Sequence, residues 1–309
     1  MQPVLRVLLV EDNAEDAELI TRELQRADGY QIIMERVENE DEFKRALHRR
    51  VWDYIVCDYA LPSFSAERVI ELIEGYKLDT PLVLVSGKIT REQAARVLGR
   101  RAVYSFVSKD ELSNLGAMFR REMQLSRRYD QMLVSWARAL ELRDRVTAGH
   151  TERVADLTVR IARAMGVSEI DIMHMRRGAL LHDIGKIVVP DAILHKPGAL
   201  TEDETYAMRQ HPTIAHDLLV TNEWMAHVLE IPYCHHENWD GTGYPRGLKG
   251  EEIPLAARIF AVVDNYDALT SDRPYRRAWT HEHALDYIRS QSGAMFDPAI
   301  VAKFLELMQ

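Results

Sequence analysis

The second half of the chain carries histidines and aspartates of the kinds that bind divalent metals. They are His150, His182, Asp183, His211, His235, His236 and Asp264. Imidazoles and carboxylates without thiolates suit Fe, Mn or similar ions and argue against a cysteine-rich zinc site. Because Asp183 directly follows His182, the imidazole can serve one ion while the carboxylate reaches a second. A metal pair makes hydroxide at neutral pH and shields phosphate oxygens, so these residues predict phosphodiester hydrolysis.

Lys186 follows His182 and Asp183 by four and three residues. If the segment is one helix, this spacing places the lysine on the same face as the two candidate ligands. The side chain can form a structural salt bridge, or it can orient and neutralise the scissile phosphate. The neighbouring metal ligands favour the second role, and we therefore take Asp183 and Lys186 as the candidate catalytic residues.

A second polar constellation lies near the N-terminus, where successive apolar runs end in polar residues. Its members are Glu11, Asp12, Asp58, Ser86 and Lys109. The carboxyl ends of parallel strands meet at one edge of a sheet, so these side chains should converge. Three converging carboxylates favour a hard cation such as Mg²⁺, beside which Asp58 can attack a phosphoryl donor. Ordinary surface acids explain poorly why successive strands end in these residue types.

Two kinds of element must position these residues. Apolar runs at 5–10, 31–37, 54–58, 82–86 and 105–109 alternate with helical stretches such as 16–27 and 91–99. Such alternation predicts an α/β domain with a five-stranded, doubly wound, flavodoxin-like parallel sheet. Helical patterns at 151–165, 170–181, 202–211 and 254–269 predict an all-α domain after it. We expect domains at 1–124 and 144–309, joined by a connecting helix at 125–143.

The helical pattern from 111 to about 143 carries an apolar stripe. Its members are Met123, Tyr129, Leu133, Trp136 and Leu140. The stripe fits two interpretations: packing onto the second domain, or a dimerising helix that transmits a signal. The sequence does not decide between them, so a homodimer stays open.

Composition limits the class of protein. The 309 residues suit two globular domains, with 47% hydrophobic and 28% charged residues. Divided at residue 124, the chain has 18 Lys and Arg against 22 Asp and Glu before the division, and 21 against 26 after it. Both parts are therefore acidic, which disfavours direct nucleic-acid binding. No run is long enough to span a membrane or serve as a signal peptide, and Cys57 and Cys234 show no disulfide spacing, so we expect a cytoplasmic location.

On these strand-end residues, positions 1 to about 124 resemble the receiver domain of response regulators. The resemblance implies that Asp58 is the phosphoacceptor and that Glu11 and Asp12 hold Mg²⁺. It implies that Ser86 and Lys109 bind the phosphoryl group, and that a cognate sensor histidine kinase is a partner. One departure is Asp110, where the family usually has proline.

The stretch from about 143 to 309 is similar to the HD-GYP subgroup of the HD metal-dependent phosphohydrolases. The matching segments are residues 182–186 (HDIGK), 235–237 (HHE), 240–245 (DGTGYP) and 261–276 (AVVDNYDALTSDRPYR). This resemblance implies an all-α fold that hydrolyses the bacterial messenger cyclic di-GMP to pGpG, with GMP as the product of a second cut.

The same resemblance implies roles for single residues. One metal takes His150, His182, Asp183 and Asp264; the other takes Asp183, His211, His235 and His236. Arg273 and Arg276 match positions that contact the nucleotide phosphates. The loop Gly243-Tyr244-Pro245 shapes the substrate pocket, or merely supports the ligand-bearing helices. Val146 stands where some members have a glutamate for a third metal, so we expect two divalent transition metals.

Together these features predict a response regulator whose phosphorylation at Asp58 controls a cyclic di-GMP phosphodiesterase. One alternative is a non-catalytic cyclic di-GMP sensor that relays its state to protein adaptors. Another is an HD hydrolase of a different nucleotide. The complete ligand set and Lys186 favour turnover over mere binding.

Overall fold

A computed structural model describes most of the chain. The described residues are 4–26, 31–62, 64–76, 78, 80–87, 97, 100, 102–144, 149–221, 225, 228–272 and 277–308; for Val4, 119–130 and 169–170 only the backbone is described. The chain divides into two compact units. The first covers Met1–Arg128 and Ser168–Ile170, and the second covers Tyr129–Val167 and Asp171–Gln309.

The first unit is built on a five-stranded parallel sheet with the strand order β2-β1-β3-β4-β5. The strands are β1 (Val4–Val10), β2 (Gln31–Val37), β3 (Tyr54–Asp58), β4 (Leu82–Ser86) and β5 (Val103–Ser108). Every residue of β3 and β4 is buried, as in central strands that are covered on both faces. The predicted five-stranded parallel sheet is therefore confirmed.

Three described helices pack on this sheet: α1 (Ala14–Gln25), α2 (Glu40–Arg49) and α3 (Ala66–Gly75). Each begins after a side chain that accepts a hydrogen bond from the first turn, namely Asn13, Asn39 and Ser65. The buried side chains of α2 and α3 belong to one core cluster and those of α1 to another. The doubly wound arrangement is therefore confirmed. The helix predicted at 91–99 lies outside the described residues except for Val97, which is helical and buried.

The segment predicted as one helix from 111 to 143 is interrupted near its start. A 3-10 helix (Lys109–Asn114) contains a non-helical backbone at Glu111, and helix α4 (Leu115–Asp144) follows. Leu133 lies in the core of the second unit, whereas Trp136 is 44% exposed. Packing onto the second domain thus accounts for Leu133. The side chains of Met123 and Tyr129 lie outside the description, and dimerisation stays a prediction.

The second unit is helical, and its described residues contain no strand. Its α-helices are α5 (His150–Ala164), α6 (Glu169–Leu180), α7 (Asp191–Leu194), α8 (Glu202–Met208), α9 (His211–Val220), α10 (Glu230–Cys234), α11 (Leu255–Thr270), α12 (His281–Ser290) and α13 (Pro298–Met308). Buried side chains such as Phe260 of α11 and Phe304 of α13 form one core. The predicted all-α domain is confirmed, although the helix predicted at 202–211 is two helices.

None of the helices in the described part of the chain combines the length and apolar character needed to cross a bilayer. Cys57 and Cys234 are both buried and free.

Candidate functional site

Two groups of possible metal ligands face each other in the second unit. His150, His182 and Asp264 form one group, and His211, His235 and His236 form the other. Within each group the ligand atoms lie within 4.8 Å of one another. The structure therefore brings together side chains from α5, α9, α11, the end of α10 and the turn after α6.

Asp183 lies between the two groups. Its Oδ2 atom is 3.2 Å from Nε2 of His182, and its Oδ1 atom is 3.4 Å from Nε2 of His211. Oδ1 is also 3.9 Å from Nε2 of His235. One carboxylate thus offers a separate oxygen to each group, which is the arrangement of a ligand shared by two metals.

The turn that carries this aspartate differs from the predicted single helix. Helix α6 ends at Leu180, and a 3-10 helix covers Ile184–Val188. A 3-10 helix has about three residues per turn, so the i to i+3 spacing brings Lys186 over Asp183. Gly185 permits the close packing of this segment on α9, because a Cβ atom there would lie 1.9 Å from the carbonyl oxygen of His211.

Backbone carbonyls orient three of the histidine rings by accepting hydrogen bonds from Nδ1. Nδ1 of His182, His211 and His235 donates to the backbone carbonyls of Ala179, Met208 and Ile231, at 2.8, 2.8 and 3.0 Å. A carbonyl can only accept, so Nδ1 carries the proton and Nε2 remains available to a metal. Main-chain geometry therefore presets these three ligands.

The protonation preferences of the two groups differ. Burial lowers the pKa of His236 to about 3, and burial with neighbouring imidazoles holds the pKa of His235 well below its ordinary value. Burial also opposes protonation of His182, but the carboxylates of Asp183 and Asp264 raise its pKa to about 9. His182 therefore carries a proton that a divalent cation would displace, whereas His235 and His236 offer neutral imidazoles.

Lys186 is held by two carboxylates. Its Nζ atom lies 2.7 Å from Oδ2 of Asp183 and 3.0 Å from Oδ2 of Asp144. Burial alone would lower the pKa of Lys186, but these carboxylates raise it above its ordinary value, so the side chain stays charged. Lys186 therefore forms a structural salt bridge, and it also lines the cavity beside the candidate ligands.

The last turn of α4 contacts the backbone on both sides of the first ligand group. Glu141 accepts hydrogen bonds from the amides of Gly149 and Thr151 at 3.3 and 2.6 Å, which flank His150. Arg143 donates to the carbonyls of Lys186 and Val189 at 2.8 and 2.6 Å. The sequence showed no signal for these contacts, since their partners lie outside any local motif.

The predicted substrate loop folds back onto the second ligand group. The ring of Tyr244 stacks on His236 with 4.7 Å between centroids. A Cβ atom on Gly243 would lie 2.2 Å from the amide nitrogen of Asn238, so the loop can approach only with glycine there. The buried carboxylate of Glu237 accepts from the amides of Arg246 and Leu248 at 2.7 and 3.0 Å and closes the loop.

The loop residues differ in their relation to the cavity. Gly243 and Tyr244 line a cavity of about 660 Å³ together with candidate metal ligands, whereas Pro245 is not among its lining residues. Burial raises the pKa of Tyr244 to about 12, so its hydroxyl stays protonated. The two predicted phosphate contacts, Arg273 and Arg276, lie outside the described residues.

In the first unit, Lys109 joins the carboxylates at the strand ends. Its Nζ atom lies 3.0 Å from Oδ2 of Asp58 and 3.7 Å from Oε2 of Glu11, and it also pairs with Asp16. The carboxylates of Glu11, Asp16 and Asp58 form a third possible metal group. Asp16 was missed from the sequence, because it lies within α1 and not at a strand end.

Asp12 is not among the three carboxylates of this group, and its part in holding Mg²⁺ stays a prediction. It is exposed, and its carbonyl oxygen accepts a hydrogen bond from Arg36 at 2.6 Å. Ser86 is buried at the end of β4, beside Ser108 of β5. Within the described chain, the buried Oε2 atom of Glu11 accepts no hydrogen bond, which leaves a lone pair suited to a hard cation.

Two family models match this chain. A family model described as HD domain matches residues 135–300. The chain belongs to the HD-domain family. A second model, described as response regulator receiver domain, matches residues 7–119 of this HD-domain chain. The predicted receiver and HD-type parts are thereby confirmed.

Three characterised relatives illustrate the range of the family. The HD-domain chain is 45% identical over 184 residues to the cyclic di-GMP phosphodiesterase response regulator RpfG of Xanthomonas campestris, covering 59% of this chain and 49% of that protein. It is 48% identical over 169 residues to a cyclic di-GMP phosphodiesterase of Thermotoga maritima, covering 54% and 46%. It is 38% identical over 178 residues to the 3′3′-cGAMP-specific phosphodiesterase 2 of Vibrio cholerae, covering 57% and 34%. The chain spans about half the length of the first two relatives.

Proposed function

We propose that this chain is a bacterial response regulator whose HD domain hydrolyses cyclic di-GMP with two divalent metals. The observation that carries the proposal is the position of Asp183, which turns one oxygen toward His182 and the other toward His211. The names of the first two relatives support the substrate class. We further propose a receiver domain at 1–124, a connecting helix at 125–143 and an HD-GYP domain at 144–309.

The donor atoms fit the metals that the family implies. One ion would take His150, His182, Asp183 and Asp264, and the other Asp183, His211, His235 and His236. Nitrogen and oxygen donors without thiolate favour Fe or Mn. When bound, such a pair supplies hydroxide at neutral pH and neutralises phosphate oxygens.

The remaining residues position the substrate and carry its charge. In the hydrolysis, a water oxygen bonds to phosphorus, the bond to the 3′ oxygen breaks, and that oxygen receives a proton, giving linear pGpG. A second cut would give GMP. Asp183 and Asp144 hold Lys186 at the wall of the cavity, where its ammonium would lie beside the reacting phosphate. Gly243, Tyr244 and Pro245 would shape the pocket, and Arg273 and Arg276 would contact phosphates.

In the receiver, we propose that Asp58 accepts a phosphoryl group from a sensor histidine kinase. Mg²⁺ would bind beside Glu11 and Asp58, with Asp12 close by in the chain, and Ser86 and Lys109 would hold the phosphoryl oxygens. The contact of Lys109 with Asp58, and the buried Oε2 atom of Glu11 that accepts no hydrogen bond in the described part of the chain, support this assignment. Phosphorylation would then control the output domain, directly, through a homodimer or through protein adaptors.

The third relative supports a second candidate substrate, because it is named for 3′3′-cGAMP. Incubation of the metal-loaded full chain with cyclic di-GMP and with 3′3′-cGAMP, followed by separation of the products, tests both. We expect linear pGpG from cyclic di-GMP. Faster cleavage of 3′3′-cGAMP would reassign the substrate. Tight binding without products from either nucleotide would favour the non-catalytic sensor.

A further inference from the structure

The cavity beside the ligand groups is large enough for a cyclic dinucleotide. Its volume of about 660 Å³ falls within the range of roughly 300–1,000 Å³ that is typical of small-molecule sites. A cyclic dinucleotide carries two phosphodiesters, and only one of them can be cut at a time. The other phosphodiester brings a negative charge into the same cavity and needs a partner of its own.

Two cationic side chains, those of Lys186 and Arg209, are found among the described residues that line this cavity. The ammonium of Lys186 is already matched by Asp183 and Asp144. Arg209 forms no ion pair with any residue in the described part of the chain. Its charge is therefore available to a ligand.

Arg209 is held next to the ligand groups by an aromatic contact. Its guanidinium carbon lies 5.0 Å from the centroid of the Tyr244 ring, and that ring stacks on His236. Arg209 is also two residues before His211, at the end of α8. A guanidinium resting on a ring keeps its edge free, and the edge matches the paired oxygens of a phosphodiester.

We propose that Arg209, resting on Tyr244, binds the phosphodiester of a cyclic dinucleotide that is not being cut. This inference rests on the proposed function and adds a second anion subsite to it. The ring of Tyr244 then holds the guanidinium in place at the wall of the cavity. Arg209 acts in binding and leaves the reacting phosphate to the metal ligands and Lys186.

The test compares two substrates in the metal-loaded full chain. Cyclic di-GMP occupies both subsites, whereas bis(p-nitrophenyl) phosphate has one phosphodiester and reaches only the metal centre. In Arg209→Ala, kcat/KM for cyclic di-GMP should fall about 10- to 100-fold, mainly through KM, because a charged hydrogen-bonded contact is lost. The small diester should be cut at the wild-type rate. Arg209→Lys should give an intermediate loss, since an ammonium lacks the flat, paired donors.

Arg50→Ala is the matched control. Arg50 also lies over an aromatic ring, at 5.5 Å from the centroid of that of Trp52, but it belongs to the first unit and does not line the cavity. Its variant should cleave both substrates like the wild type. Equal losses of both substrates in Arg209→Ala, or no loss of either, would overturn the inference.

Calorimetric titration with cyclic di-GMP separates this inference from the proposed function, because it does not require turnover. The dissociation constant should rise about 10- to 100-fold in Arg209→Ala. If the wild type binds cyclic di-GMP without cleaving it, the proposed function fails while the subsite can still be measured. An unchanged dissociation constant, or a wild type that does not bind the nucleotide, overturns the subsite.

Discussion

The Nδ1 atom of His150 lies 2.7 Å from Oδ2 of Asp267, and this contact decides which nitrogen of the ring faces the candidate metal centre. Arg153 holds the other oxygen of the same carboxylate at 2.7 Å. Burial opposes ionisation of Asp267, but the hydrogen bonds from His150 and Arg153 hold its pKa well below the ordinary value. The carboxylate therefore accepts a hydrogen bond from Nδ1–H of His150, and Nε2 is left for a metal.

Replacing Asp267 with asparagine should weaken metal binding about 10- to 100-fold, because an amide can present its NH₂ group to Nδ1 and no longer selects the tautomer. Competition with a metal-binding dye in the full chain measures the change. Asp286→Asn is the control, since Asp286 is exposed and pairs with Arg289 at the surface. Metal affinities that match the wild type in both variants would show that His150 needs no such orientation.

The metal pair should depend on Asp183, which lies between the two groups, and on His182 of the first group. Asp183→Ala or His182→Ala should abolish turnover of cyclic di-GMP while the chain stays folded by circular dichroism. Near-wild-type turnover by these alanine variants without metal would exclude metal-dependent hydrolysis.

The number of metals is tested separately. Elemental analysis of anaerobically purified wild type should approach two transition ions per chain. A reproducible third ion of comparable affinity would contradict the reasoning from Val146.

The substrate loop should tolerate no side chain at position 243. In Gly243→Ala, the new Cβ atom would meet the amide of Asn238 at 2.2 Å, so the loop must move away from His236. Such overpacking costs about 1–3 kcal/mol, and we expect a loss of cyclic di-GMP turnover of at least about tenfold. Gly198→Ala, with no atom within 4 Å of its added Cβ, should keep both rate and thermal stability. Equal rates in the two variants would mean that the loop does not shape the site.

Mg²⁺ binding to the receiver should weaken as the pH falls. Burial, reinforced by the charge of Asp58, raises the pKa of Glu11 from 4.5 to about 7. Below that pH the carboxyl is increasingly protonated, so a proton competes with the cation; above it the charged form is available. Calorimetric titration with Mg²⁺ between pH 6 and pH 8 should show this dependence, and Glu11→Gln should reduce it. A wild-type affinity that stays flat across this range would remove Glu11 from the site.

Phosphorylation of Asp58 should change the activity of the output domain. Phosphodiesterase rates are compared with and without beryllofluoride, for the wild type and Asp58→Ala. We expect a change in the wild type that is absent from the variant, and the residues do not fix its sign. Equal rates throughout would reduce the receiver to a localisation or dimerisation module, and failure of beryllofluoride to bind would remove the switch.

Much of the fold could be predicted because it depends on local patterns. The limits of β3 and β4 follow from apolar runs that end in Asp58 and Ser86, since a strand covered on both faces consists mainly of apolar residues. The ligand types also follow from the sequence, because chemistry restricts metal ligands to a few side chains. These features require no knowledge of which distant residues meet.

Contacts between distant residues were decided only by the tertiary structure. Asp16 takes its place beside Lys109 although 93 residues separate the two, and Asp267 meets His150 across 117 residues. The spacing of Lys186 and Asp183 fits an α-helix as well as a 3-10 helix, and only the structure showed that this segment is a 3-10 helix. The type of a residue determines what its side chain can bind. Which other side chains lie close enough to bind the same metal is determined only by the packing of α5, α9 and α11.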